Sequence, residues 1–142
     1  MVEACLATMQ RHRPMAATGL QCAPDGVRSG GHPLEGDRKV LVCGDVEVGV
    51  FLIDGQFYAW RNRCWHRGGP VCQGRILKRV IEPVDAAGKV RSQQFDANET
   101  HIVCPWHGYE FNIKTGRHPG NAAAYLRKVE IKFRDGNLYV SL

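Results

Sequence analysis

Cys64-Trp65-His66-Arg67-Gly68-Gly69-Pro70 and Cys104-Pro105-Trp106-His107-Gly108-Tyr109-Glu110-Phe111 are the two stretches on which the reading of this chain turns. Each holds one Cys and one His, two or three positions apart, among Gly and Pro residues. Thirty-seven residues lie between His66 and Cys104, so a fold must bring two separate loops together. Gly and Pro let such loops turn sharply and expose backbone N–H groups to an anionic centre. Two Cys and two His invite a metal. One solution is a structural zinc ion held by all four. Zinc sites usually draw ligands as Cys-x2–4-Cys or His-x3–5-His pairs, whereas each loop here offers one of each kind. That division suits a binuclear centre, in which each loop gives its Cys to one iron and its His to the other.

Outward from these loops the chain reads as β-structure. Val40–Cys43, Val46–Ile53 and Gln56–Trp60 are β-rich runs, separated by Gly44-Asp45 and Asp54-Gly55. Asp-Gly between apolar runs signals a hairpin, because both turn residues must take positive φ. Leu126–Phe133 and Leu138–Leu142 flank a second such turn at Asp135-Gly136. Ile76–Glu82, Val90–Phe95 and His101–Cys104 are predicted as further short strands, and no segment holds a helical period for three turns. The expected fold class is all-β: an antiparallel sandwich or open barrel with a two-loop metal-binding subdomain. Residues 1–37 carry Pro14, Pro24 and Pro33 with scattered Gly and no apolar period. They are expected to be a poorly structured N-terminal extension with one short strand near Gly19–Cys22. Residues 38–142 form the domain, with the two loops at about 62–76 and 102–118.

A chain of 142 residues and 15.8 kDa is one domain, and 44% apolar with 23% charged residues excludes wholesale disorder. The net charge of +5 is spread without a long basic run, which argues against a nucleic-acid or membrane-binding tail. No eighteen-residue apolar stretch exists, and Gln10–Pro14 interrupts any leader-like apolar run in Met1–Leu20. Six Cys are too few for a disulfide scaffold, so a cytoplasmic location is expected, where clustered Cys and His suggest metal first.

The pattern Cys-x-His followed by Cys-x-x-His, embedded in CWHRGGPVCQG and CPWHGYEFNIKTG, resembles the Rieske iron–sulfur family. The likeness runs from about Arg38 to Leu142 and includes the preceding GVFLIDGQFYAWRNRC and the trailing DGNLYV. The resemblance implies the layered antiparallel Rieske fold with one 2Fe–2S cluster at the tip of the two loops. It implies that Cys64 and Cys104 ligate the inner iron, and His66 and His107 the outer one. Trp65, Arg67, Gly68, Trp106, Gly108 and Tyr109 become the cluster surroundings. Two ferric ions, two sulfides and two thiolates sum to zero charge, so neutral imidazoles raise the potential above that of an all-Cys cluster.

Two departures place the chain within that family. High-potential members carry an extra Cys in each loop, joined as a disulfide; those positions here are Gly69 and Trp106. They also carry a Ser and a Tyr whose hydroxyls bond the cluster; the matching residues here are Tyr109 and Phe111. Both point to the low-potential branch, the Rieske-type ferredoxins and oxygenase components. The four spare His show no second iron site, and no nucleotide fingerprint is present, so the chain reads as an electron carrier rather than an enzyme. The expected role is a ferredoxin passing electrons from a flavin reductase to a terminal non-haem iron oxygenase of an aromatic-ring dioxygenase system. Both partners would dock at the His66/His107 tip. The alternatives are the small Rieske-like subunit of an assimilatory nitrite reductase, and a zinc-stabilised binding module. Cys72 is expected as buried filler, and Cys5, Cys22 and Cys43 as free thiols. Trp65 and Trp106 are expected to shield the cluster, and His12, His32, His101 and His118 to be surface or structural. Residues 78–100 make the interval between the motifs longer than usual and read as an extended hairpin insertion turning at Ala86-Ala87-Gly88.

Overall fold

The β-rich runs fold into three sheets in a computed structural model that describes residues 19–22, 29–30 and 33–142, with side chains from Pro33 onward. The strands in chain order are β1 (Gly19–Cys22), β2 (Ser29–Gly30), β3 (Asp37–Cys43), β4 (Val46–Ile53), β5 (Gln56–Arg61), β6 (Arg75–Ile81), β7 (Gln94–Val103), β8 (Glu110–Asn112), β9 (Glu130–Arg134) and β10 (Asn137–Ser141). A single 3-10 turn, Val71–Gln73, precedes β6, and the described residues contain no α-helix. One sheet has the order β2-β1-β10-β9, the second β3-β4-β5 and the third β6-β7-β8. All pairings are antiparallel except β1 with β10. The all-β antiparallel expectation therefore holds.

Turn chemistry sets the registers. Asp54 and Gly55 have φ of 51° and 73°, and Asp135 and Gly136 have 51° and 74°, as two-residue hairpin loops require. Their hairpins pair Ile53 with Gln56 and Asn137 with Arg134. The turn at Asp54-Gly55 is also tied from outside, since the Glu35 carboxylate accepts both backbone N–H groups at 2.6 and 2.9 Å. Glu35, N-terminal to residue 38, thus packs on the β4–β5 hairpin. The β1 strand lies at Gly19–Cys22; residues 1–18, 23–28 and 31–32 of the expected extension, with His12 and His32, lie outside the described residues.

Two strand assignments need correction. Leu126–Phe133 is not one strand: β9 starts at Glu130. Residues 126–129 instead cross between sheets, bonding Gly116 O through Leu126 N, Arg61 N through Arg127 O, and Ala59 O through Val129 N. Leu126 and Val129 are buried, which explains the apolar pattern that reads as strand. Val90–Phe95 and His101–Cys104 are likewise not separate strands. Phe95 and His101–Val103 share β7, whose register against β6 shifts between Lys78 and Arg79. Such a bulge lets one strand carry extra residues without breaking the pairing. Between β6 and β7 the chain turns at Asp85–Gly88, where the Asp85 carboxylate accepts the N–H of Ala87 and of Lys89.

Two apolar cores result. One, around Phe51, Trp60, Ile102, Phe111 and Ile113, lies beneath the Cys–His loops; the other, around Val48, Val50, Leu138 and Val140, joins the first two sheets. Gly49 sits where they meet. A Cβ there would stand 2.4 Å from the Cys72 Cβ, so β4 approaches the 3-10 turn closely only because position 49 is glycine. A Gly49→Ala variant is expected to lose about 1–3 kcal/mol of unfolding free energy by overpacking. Urea unfolding followed by far-UV circular dichroism measures it, and an unchanged midpoint would refute the close-packing argument.

Candidate metal centre

The first loop leaves β5 and returns into β6; the second leaves β7 and returns into β8. Because Arg75 pairs with Val103, the end of one loop lies beside the start of the other. Gly74 makes this possible: a Cβ on it would fall 1.7 Å from the Val103 carbonyl oxygen. Both loops then use the same hydrogen-bonded turn. In the first, Gly68 N donates to Cys64 O at 2.9 Å and Cys64 N to Gly69 O at 2.8 Å. In the second, Gly108 N donates to Cys104 O at 3.0 Å and Cys104 N to Tyr109 O at 2.7 Å. Gly68 and Gly108 occupy the same place in this frame with φ of 73° and 72°, which disfavours any residue with a side chain.

Inside this frame the chemistry-bearing groups converge. Cys64 and Cys104 are 4% and 2% exposed and their sulfurs face one another. The His66 and His107 rings stand above them, edge to face, with centroids 4.8 Å apart. His107 is exposed and His66 half-buried. The Nδ1 atom of His66 is buried and has no hydrogen-bond partner, a rare condition for a polar atom and one that a metal bond resolves. Burial pushes the Cys64 thiol up from its ordinary pKa, while the backbone N–H groups of His66 and Arg67 pull it down by pointing at the sulfur. Each loop contributes one thiol and one imidazole to this group. Two irons, each taking two protein ligands, fit this donor set: two thiols below, two imidazoles above.

The residues expected around the cluster are placed as follows. Tyr109 lies flat on the His66 ring, with centroids 4.4 Å apart and 4° between planes. Trp65 packs outside Tyr109 at 6.3 Å, and His118 leans on Tyr109 at 5.3 Å. The Trp106 ring covers Gly69 so closely that a Cβ there would lie 2.7 Å from it. Trp65 and Trp106 remain 45% and 58% exposed, so they flank the imidazoles at the surface. Gly68 is covered by the Arg63 side chain, and Arg67 projects outward. A cleft of about 760 Å³ runs along the second loop, with Arg38 and Arg75 in its walls.

Several supporting residues were not singled out from sequence. Buried Asn62 accepts the Cys72 N–H at 2.7 Å and donates to Glu47 at 2.7 Å, fastening both ends of the first loop. Trp60 donates to Ile113 O at 2.8 Å and packs on Gly116, bracing the turn after β8. Asn62 carries no motif; only its place two residues before the first ligand marks it. His101 is structural, as expected: it is 1% exposed, with ring nitrogens 3.0 Å from Glu99 and 3.3 Å from Glu110. Cys72 is the expected filler, wholly buried, with its thiol 3.8 Å from Trp60 O. The expectation for Cys43 is corrected: it is disulfide-bonded, not free. Overall cysteine density does not register a single bridge, which needs only two cysteines brought together. The side chains of Cys5 and Cys22 lie outside those described.

The family model of the Rieske [2Fe-2S] domain matches residues 26–125. The chain belongs to that family, and its cofactor is a 2Fe–2S cluster. A human (Homo sapiens) Rieske domain-containing protein is 34% identical over 80 residues, covering 56% of this chain and 40% of that protein. The match thus spans well under two thirds of that relative's length. Ferredoxin CarAc of Metapseudomonas resinovorans is 26% identical over 105 residues, covering 73% of this chain and 78% of that one. The solved ferredoxin of carbazole 1,9a-dioxygenase from Nocardioides aromaticivorans IC177 shares the fold, with a TM-score of 0.52 at 19% identity, covering 76% of this chain and 86% of that one.

Burial pushes the Cys72 thiol up to about 12. It is expected to resist alkylation by iodoacetamide at pH 8.5 in the folded protein and to react on unfolding, as mass spectrometry would read. The unfolded thiol ionises near pH 9 and the folded one does not, so above that pH the unfolded state binds fewer protons. This thiol's contribution to stability is complete below about pH 9 and falls as pH rises toward about 12. Rapid alkylation of Cys72 in the native state would refute its burial.

Proposed function

We propose that this chain is a one-electron carrier, a Rieske-type ferredoxin that takes electrons from a flavin reductase and delivers them to a terminal non-haem iron oxygenase. The observation that carries the reading is the pair of identical turns that sets His66 and His107 edge to face at the surface over two buried thiols. Cys64 and Cys104 hold the inner iron, and His66 and His107 the outer one. When bound, the cluster supplies a reversible one-electron couple. The protein's part is to keep water from the sulfurs, hold the imidazoles in one orientation and leave one imidazole edge open. The names of the relatives support the role: CarAc is called a ferredoxin, and the matched structure is the ferredoxin of a dioxygenase.

The low-potential assignment rests on what surrounds the sulfurs. Gly69 and Trp106 cannot form a disulfide, and Phe111, fully buried, brings no hydroxyl. The Tyr109 ring is stacked on the His66 ring, and a tyrosine is large for the position of the serine it replaces. Fewer donors to the cluster leave its reduced form less stabilised. Partners are expected to dock at the His66/His107 tip, where Trp65, Trp106 and Arg67 are exposed.

Anaerobically purified protein is expected to be red-brown, with two irons and two acid-labile sulfides per chain. Alanine at Cys64, His66, Cys104 or His107 removes the colour. Stoichiometric zinc without visible absorbance would overturn the reading. In protein-film voltammetry the potential at pH 7 is expected below zero, toward the low end of the roughly −150 to +300 mV Rieske range. A clearly positive value would contradict the assignment of Gly69, Trp106, Tyr109 and Phe111. An Arg67→Glu variant with an unchanged cluster spectrum is expected to slow reduction by the flavin reductase and to weaken its salt dependence. Unchanged kinetics would remove Arg67 from the docking surface.

A further inference from the structure

The two loops share one turn, yet their histidines are out of step. Counted from its cysteine, the first loop places His66 second and the second loop places His107 third. The second position of the second loop is Trp106, and the fifth positions are Gly69 and Tyr109. Superposed on the shared hydrogen bonds, the contacts between loops are reciprocal. The second residue of the first loop, His66, lies under the fifth of the second, Tyr109, with centroids 4.4 Å apart. The second residue of the second loop, Trp106, lies on the fifth of the first, Gly69, where a Cβ would come within 2.7 Å of the ring.

We propose that these two contacts form a clasp across the loops, with Tyr109 and Trp106 acting as positioning residues for His66 and for the loop that carries it. The inference rests on the cluster reading of the site. Tyr109 fixes the plane of the His66 ring and so keeps the unpartnered Nδ1 aimed inward. Tyr109 is itself backed by His118, whose Nδ1 accepts the Gly120 N–H at 3.0 Å and whose ring meets buried Phe111 at 5.9 Å. The orientation of His66 is thereby anchored in the core. Trp106 works on the opposite side: its ring, seated on Gly69, keeps the returning limb of the first loop against the second. Glycine at 69 is a condition for that seat, not a gap in the site. Neither contact involves a ligand–metal bond, so the clasp pre-orients donors that would otherwise sample several rotamers at an entropic cost.

The test uses full-length protein. Iron and sulfide analysis of the native chain comes first, since an iron-free native protein defeats the cluster reading and leaves the variants unneeded. Amide hydrogen exchange of residues 64–69 and 104–109, and pulsed-EPR nitrogen couplings of the two histidines in the reduced protein, are then compared across variants. Tyr109→Phe, which keeps the ring, is expected to match the native protein in both. Tyr109→Ala is expected to alter one of the two nitrogen couplings. Trp106→Ala and Gly69→Ala, which remove the same seat from opposite sides, are expected to speed exchange in the first loop alike, by roughly two- to tenfold on the energies typical of aromatic contacts. If the alanine variants hold no cluster, Phe is compared with Leu at 106 and at 109. Retention with the flat ring and loss with Leu supports the clasp. Native-like couplings and exchange in all three alanine variants, or equal behaviour of Phe and Leu, would overturn it.

Discussion

Two thiols and one imidazole nitrogen are held away from water with no protein group to satisfy the nitrogen, and the structure is organised around that condition. Burying unsatisfied polar atoms costs about 1–3 kcal/mol each unless something binds them. Cys64, Cys104 and His66 Nδ1 lie together beneath a surface formed by His107, Trp65 and Trp106. A chain that holds this arrangement must brace its loops from outside the site. Asn62 ties the first loop at both ends, and Gly74 lets its exit strand lie against the second loop's entry. Trp60 and Asn112 brace the turn beyond β8, where the Asn112 side chain accepts the N–H of Lys114 and of Thr115. The bracing comes from the apolar core below, so the site's order is inherited from the sheets.

The division of labour among the sheets follows. Strands β6, β7 and β8 carry the loops, β3, β4 and β5 supply the floor through Phe51, Ile53 and Trp60, and β9 and β10 close the far side. The outer part of the β6–β7 hairpin, from Arg79 to Asp96, lies away from both cores. Arg91 pairs with Asp85 within it and Arg79 with Glu99 beyond it, while Val80, Val84, Val90 and Phe95 stay exposed.

Much of this was legible in the chain. The Asp-Gly pairs fixed two hairpins because few other dipeptides take positive φ twice, and the paired Cys–His motifs pointed to the family and with it to the cofactor class. What sequence could not give was anything set by tertiary contact. Leu126–Val129 has the apolar content of a strand and serves as a crossing between sheets. The β7 strand reads as two because the mostly polar residues 96–100 interrupt its apolar pattern, where its register against β6 shifts opposite the Lys78/Arg79 step. Tyr109 stands in the sequence as a bulky replacement for a serine, and only the structure shows its ring stacked on His66. Gly69 and Trp106 were read through the bridge they cannot form, and their contact with each other became visible only in three dimensions. The disulfide at Cys43 left no trace in the composition.

The offset of the two histidines by one residue in otherwise matching turns has a geometric consequence. Were they at the same position, the loops would present two imidazoles related by near-twofold symmetry, and a visitor would meet either alike. The offset gives the tip a front and a back. His107 stands in the open beside Trp106, while His66 is roofed by Tyr109 and Trp65. On the proposed carrier role, a reductant and an oxidant that each approached the bare imidazole edge would come to the same side of the tip and would have to take turns there.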